Sequence, residues 1–516
     1  MSNQAAEALA GALPLQGQEQ HTVHRLRKNA IGLTDVIFMT IATAAPITAM
    51  LGNVPIAVGS GNGHYAPAGY LVATIVLALF AIGYAEMAKQ ITATGAFYGF
   101  ISKGIGRVVG MGAGYTITLT YMVFEAAVVG VFGFFANDLV ISLFGLDVGW
   151  FFYSCLMILT NGILSHYDIT LTAKVLGVCL VLEIAILTAV SLAVAFHGGG
   201  EQGFSFSSIN PVNAFKAAEG VIGANAGIGL FFAFSSWVGF ESSAMYGEES
   251  KNPKKIIPLA TLLTVVGIGI FYVLVSWMAI SGTGAAHSIQ LAQNPATATE
   301  IFYTPTRLYL GEWAVSVFKI LVVTGSFACG MAFHNCAARY LYAIGRENLF
   351  PILGRTIGRT HVKHSSPHIA SAVQSVICAV VVAAFYFAHK DPYADLYALF
   401  GILGTMGVLI VQALCAFAII NYFHGKNRNQ PDRHWFKTFT APLLGGIGML
   451  YVVYLLFANL SFAAGDAANS IVFKMIPWIV LGSFVLGSGI ALYLKRTNHK
   501  KYLVIGSITL DESPKG

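Results

Sequence analysis

The sequence predicts an all-α polytopic membrane protein with twelve transmembrane helices. Three observations carry that expectation. Of its 516 residues, 56% are hydrophobic and only 10% are charged, whereas a soluble domain carries about 25% charged residues. Twelve apolar stretches run along the chain, each near or above the roughly 20 residues that a helix needs to cross a bilayer. Lysines and arginines gather in alternate connections between those stretches, the asymmetry that fixes orientation in a membrane.

Residues 1–30 are polar and read as a disordered tail, with Arg25, Arg27 and Lys28 just before the first apolar run. No short apolar core with a small-residue cleavage site stands there, so a signal peptide is not expected. Spans are expected at 34–58, 66–88, 107–137, 147–166, 170–196 and 222–246, then at 256–281, 311–343, 367–388, 393–424, 439–461 and 472–494. Residues 31–198 hold the first five, 220–424 the next five and 437–496 the last two, with a tail over 497–516. With the N-terminus inside, the cytoplasmic connections receive Lys89, Lys103, Lys254, Arg346, Arg355, Arg359 and Lys437 among others. The outer ones receive little beyond Lys216, Arg307 and Lys390. Both termini are therefore expected in the cytoplasm, and the chain in the cell membrane.

Several classes are set aside. The net charge of +6 is scattered among loops without interleaved aromatics, so no nucleic-acid partner is expected. The six cysteines lie in apolar runs and read as small buried hydrophobes, neither disulfides nor metal ligands. No GxxxxGK[ST], HExxH or GxSxG occurs, so neither ATP hydrolysis, another enzyme activity nor a cofactor is expected. A coupled carrier remains.

Two spans look broken. Span 1 centres on Thr43-Ala44-Ala45-Pro46-Ile47-Thr48, where Pro46 removes a donor and frees carbonyls of the preceding turn. Span 6 carries Ser235, Ser236 and Gly239 in FSSWVGFE, where glycine weakens the helix and serines compete for backbone. Paired interrupted helices in matching positions of two halves mark a transporter site near the bilayer midplane. Each alone also reads as a kink or a close-packing position.

The stretches YAEMAKQITATGAFYGFISKGIG at 84–106, FSSWVGFESSAMYGEESKNPKKIIP at 234–258 and FHNCAARYLYAIGRENLFP at 333–351 resemble the amino acid–polyamine–organocation permeases. The resemblance implies the LeuT-like fold: a five-plus-five inverted repeat, here with two extra helices. It implies a substrate held at Thr43, Ala44, Pro46, Ile47 and Thr48 of span 1 and at Phe234, Ser235, Ser236, Trp237 and Gly239 of span 6. Two departures stand out. The family often has a G-[ST]-G whose amides take a substrate carboxylate, where this chain has Pro46-Ile47-Thr48. It often has an aromatic gate where this chain has Ser235.

Ionisable groups inside the membrane cost about 2.5–3.5 kcal/mol each on insertion scales and mark function by default. Glu183 lies in mid-span 5, near where some proton-coupled relatives place a lysine against the span 1 break; it is expected to couple protons or to bond a backbone group. Glu241 follows the span 6 break and is expected to serve a proton path, to hold amides of the next half-helix, or both. Glu125, one turn from Tyr121 on span 3, is a candidate for an amine-binding or a packing role. Thr324 and Ser326 on span 8 offer hydroxyls for a sodium ion as the alternative to the proton. The expected function is import of a small amino acid with a proton, by alternating access. A polyamine or amine carrier or exchanger is the alternative, with a non-transporting nutrient receptor behind both.

Overall fold

Helix lengths follow the membrane. A computed structural model describes residues 26, 28–92, 95–166, 169–219, 221, 224–294, 296–362, 364–426, 432–458 and 470–507. The expected disordered tail lies almost wholly outside them, as does the end of the C-terminal tail. The described residues are helical, with no strand; a single backbone bridge joins Ile31 to Ser250.

The helices in chain order are α1 (Leu33–Ala44), α2 (Pro46–Ile56), α3 (Ala66–Gln90), α4 (Ala96–Gly104), α5 (Arg107–Phe144), α6 (Trp150–His166), α7 (Ile169–Phe196) and α8 (Ala226–Ser235). After a 3-10 segment (Phe240–Tyr246) come α9 (Pro253–Thr283), α10 (Ala285–Ala292), α11 (Glu300–Leu310), α12 (Glu312–Arg346), α13 (Pro351–Arg355) and α14 (His368–Phe387). The chain closes with α15 (Ala398–Ile420), α16 (Ala441–Ala458), α17 (Ile471–Thr497) and α18 (His499–Val504). Among the described residues nine stretches are long and apolar enough to cross a membrane. The first, Leu33–Gln90, takes in the expected spans 1 and 2. The shorter α6, of 17 residues, and the interrupted sixth span stand outside that count. The connection between spans 7 and 8 holds α10 and α11, two short helices that apolarity does not reveal.

Two groups of helices meet. In one, α3 packs along α9 and α8, and α1 packs on α9. In the other, α5 is the central post, touching α12, α15, α17 and α6, while α6 pairs with α14. At 38 residues, α5 is about 57 Å long at 1.5 Å per residue, nearly twice the roughly 30 Å of a bilayer core. Its small residues let neighbours close in: a Cβ on Gly114 would lie 2.8 Å from the Tyr98 ring, and one on Gly130 would lie 2.6 Å from Leu396. Close backbone approach supplies the dispersion contact that replaces the hydrophobic drive in lipid.

The chain enters α1 at one end of the bundle, called here the entry end. The C-terminal helix α18 docks at that end. Lys501 Nζ donates to the Leu349 carbonyl (2.6 Å), and the Gly506 amide donates to Glu347 Oε1 (2.7 Å), while the Tyr98 hydroxyl donates to Glu347 Oε2.

Candidate substrate site at two helix breaks

The first break is one residue long. α1 ends at Ala44, Ala45 takes the left-handed conformation (φ 48°, ψ 75°), and Pro46 opens α2. A non-glycine residue in that region is held by its surroundings at a cost of about 1–3 kcal/mol. Pro46 sits where proline is best tolerated, the first helical position, whose N–H has no intrahelical partner anyway. The puzzle of the missing donor moves one residue on. The Ile47 amide donates to Glu183 Oε2 (3.2 Å), so the mid-span 5 carboxyl reaches the start of α2. The freed carbonyl of Ala44 accepts from the Tyr272 hydroxyl of α9 (2.9 Å). Glu183 Oε1 and the Thr48 hydroxyl are buried with no hydrogen-bond partner.

The second break runs from Ser236 to Gly239. The helix α8 stops at Ser235, and Gly239 turns the chain at φ 113° before the 3-10 segment. Ser235 accepts from Thr405 of α15 (2.8 Å). Ser236 accepts from Asn53 of α2 (3.0 Å) and lies 3.1 Å from the Tyr70 hydroxyl, and Asn53 in turn accepts from Tyr397 (3.1 Å). The Trp237 ring lies among Tyr70 and Tyr272, at centroid distances of 5.9 and 5.0 Å. Phe234 is buried in the same core.

Glu241 gathers the lower side of this break. It accepts from the Tyr121 hydroxyl of α5 (2.9 Å), the Gly239 amide (3.2 Å) and the Gln412 amide of α15 (3.3 Å). The Tyr84 hydroxyl donates to its backbone carbonyl (2.9 Å). A carboxyl beside a fresh chain start satisfies an orphan amide, as expected for that position. The two breaks touch: a Cβ on Gly239 would stand 2.5 Å from Thr43 Cγ2 and 2.9 Å from the Thr43 carbonyl carbon. Every residue from Ala44 to Thr48 and from Ser235 to Gly239 is buried, so both breaks are closed to solvent.

Three other predicted residues lie differently. Both Glu125 oxygens are engaged away from the breaks, one 2.8 Å from His334 Nδ1 of α12 and the other accepting from Gln374 of α14 (2.6 Å). His334 Nε2 lies 2.7 Å from the Ser371 hydroxyl. The Thr324 and Ser326 hydroxyls donate to carbonyls of their own helix. Between them Gly325 faces the first break, where an added Cβ would meet Ile47 at 2.3 Å and Glu183 at 2.7 Å.

The entry end is closed by charges that sequence reading missed. Arg339 of α12 forks onto Glu249 (2.9 and 3.0 Å), and Arg346 pairs with Glu248. All four are buried. Glu249 also accepts, through its carbonyl, the amides of Ala30 and Ile31 that lead into α1 (2.8 and 3.2 Å). The spacing of adjacent glutamates with two arginines two spans later was the available signal. Asn53 and Gln412, lone amides in apolar helices, were another.

The sequence profile of the amino acid permease family matches residues 31–485. The chain is a member of that family. The family lies in the amino acid–polyamine–organocation superfamily, so the resemblance read from the three motifs holds. A branched-chain amino acid permease, BcaP, of Lactococcus lactis subsp. cremoris is 24% identical over 75% of this chain and 80% of its own length. A low-affinity putrescine importer, PlaP, of Escherichia coli K12 is 24% identical over 83% of this chain and 88% of its own. A serine/threonine exchanger, SteT, of Bacillus subtilis is 20% identical over 70% and 78%. These permeases are transporters and not enzymes, and this chain is an integral membrane protein of the same kind.

Proposed function

We propose that this permease imports a small amino acid together with a proton, by alternating access, across a cell membrane that it crosses twelve times. The two broken spans head two sets of five helices in an inverted repeat, with α16 and α17 added. The entry end faces the cytoplasm, in keeping with the lysines and arginines of that side.

The observation that carries the reading is the bond from the Ile47 amide to Glu183. The start of a helix offers free amides and a positive dipole end to a carboxylate. Glu183 holds one of those amides. A substrate carboxylate that takes the amide displaces Glu183, and a displaced carboxylate in an apolar surround is costly unless it gains a proton. Protonation of Glu183 and binding of an amino acid at α2 therefore help one another, which is the linkage that coupled transport requires. Gly239 supplies the close approach of the two breaks, and Trp237, Tyr70 and Tyr272 cover the site. Uptake into proteoliposomes under an inward acid gradient tests this. Glu183→Gln should keep substrate counterflow and lose pH-driven accumulation. Full accumulation by that variant, or uptake that follows sodium and ignores pH, overturns the proton reading.

A second reading, a carrier or exchanger of amines, is favoured by Tyr121 and Tyr84, whose hydroxyls reach Glu241. Aromatic faces attract ammonium groups, and a carboxyl lies on the same break. The putrescine importer among the relatives fits it. Competition by diamines but not by zwitterions in counterflow selects this reading.

A further inference from the structure

On the face of the bundle away from the breaks, α6 and α14 leave a groove of about 660 Å³ between them. Its walls are apolar, from Ile158, Leu159 and Ile163 on one side and Ala372, Val376 and Ala379 on the other. Leu159, Ile163 and Val376 are 61, 51 and 63% exposed, so the groove opens towards lipid. One end is different in kind. His166 closes α6, His368 opens α14, and His361 and His364 stand on the loop before it. The His361 ring lies 4.7, 5.0 and 5.3 Å from those of His166, His364 and His368. His368 Nδ1 is buried with no hydrogen-bond partner. The same loop region carries Arg355 and Arg359. At the opposite end of the helix pair, Phe151 stacks on Tyr386 at 4.2 Å, with Trp150 at 5.8 Å.

A 17-residue helix rises about 25 Å, close to the depth of a bilayer core. Aromatic rings mark one interface, and the histidines mark the other. The His368 imidazole, whose Nδ1 has no partner, and the amides that begin the 20-residue α14 are donors suited to a phosphate. Among the described residues no group of histidines is arranged to hold a metal ion, and Arg355 and Arg359 add positive charge near the same loop. We propose that this groove binds an anionic phospholipid, with one acyl chain along the apolar walls and the phosphodiester at the histidine cluster.

The test is binding to the full-length chain in detergent, by native mass spectrometry and thermal shift. The probes are dioleoylphosphatidylglycerol, dioleoylglycerol with the same chains but no phosphate, inorganic phosphate and zinc ion. Phosphatidylglycerol should bind about tenfold tighter than the diacylglycerol, and phosphate alone should give no shift at the same concentration. His166→Gln with His368→Gln should bring the phospholipid down to the level of the diacylglycerol. Ala372→Phe, which fills the groove, should weaken both lipids. Trp478→Ala, in the apolar cavity between α15 and α17, should change neither. Should the double variant fold poorly, His166→Gln alone, on an exposed residue, should still weaken the phospholipid selectively. Equal binding of the two lipids, binding of free phosphate as tight as that of phospholipid, or stabilisation by zinc and not by phospholipid overturns the proposal.

Discussion

Replacing Gly239 by alanine probes the contact on which the closed site depends. The backbone there lies at φ 113°, where a residue with a Cβ is strained by about 1–3 kcal/mol. The new methyl would also stand 2.9 Å from the carbonyl carbon of Thr43, which is backbone and cannot swing aside. Overpacking of this kind costs about 1–3 kcal/mol more. Taken together the closed state loses roughly 2–6 kcal/mol, and even the lower figure is close to a thirtyfold shift in an equilibrium. A conformation in which the breaks separate escapes the second part of that cost. That second part alone, about 1–3 kcal/mol, shifts the balance between conformations about fivefold or more, so initial uptake rates in proteoliposomes should fall about fivefold or more, with the melting temperature lowered. Gly401→Ala, whose Cβ meets nothing within 4 Å, is the control and should keep its rate. Uptake by Gly239→Ala within twofold of the parent would refute the touching-breaks geometry.

Removing Arg339 alone should strand Glu249, a loss of about 3–5 kcal/mol for a buried pair broken on one side, read as a lower melting temperature and faster labelling of a cysteine placed near Ile31. Tyr121→Phe removes a donor from Glu241 and should cost about 1.5–3 kcal/mol if that carboxyl is charged, seen as a matching loss in substrate affinity or stability. Burial pushes the Glu347 carboxyl up to about 8, against hydrogen bonds from Tyr98 and Gly506 that act to lower it. The folded chain then keeps a proton that the unfolded chain releases near pH 4.3, so stability should fall as pH rises from about 4.3 to about 8 and level off beyond. The full drop is on the order of 4–5 kcal/mol, and Glu347→Gln should flatten it in denaturation midpoints taken between pH 5 and 8.

Hydropathy located the long helices because each needs a continuous apolar run, and it failed on α10 and α11 because helices of 8 and 11 residues are too short to cross a bilayer and need no such run. Pro46 and Gly239 announced the breaks because both act through backbone that any sequence displays. What they did not announce was Ala45, a residue with no intrinsic wish for φ 48°, imposed by packing. Span 3 shows the other limit. Tyr121 and Glu125 are one turn apart, yet the first reaches Glu241 and the second turns to His334 and Gln374. Periodicity gives the angle between two side chains but not which neighbour waits at each. The ion pairs at the entry end needed contacts between residues 90 and 98 positions apart, which local pattern does not supply.

Those paired arginines and glutamates have a consequence for how the entry end opens. A buried ion pair gains about as much from mutual attraction as it forfeits in hydration, so moving both partners into water changes the energy little. Moving one partner while the other stays dry is what costs several kcal/mol. Partial opening is thus the expensive event and complete opening the inexpensive one. An end held by two such pairs therefore favours a fully closed or a fully parted arrangement over any between them.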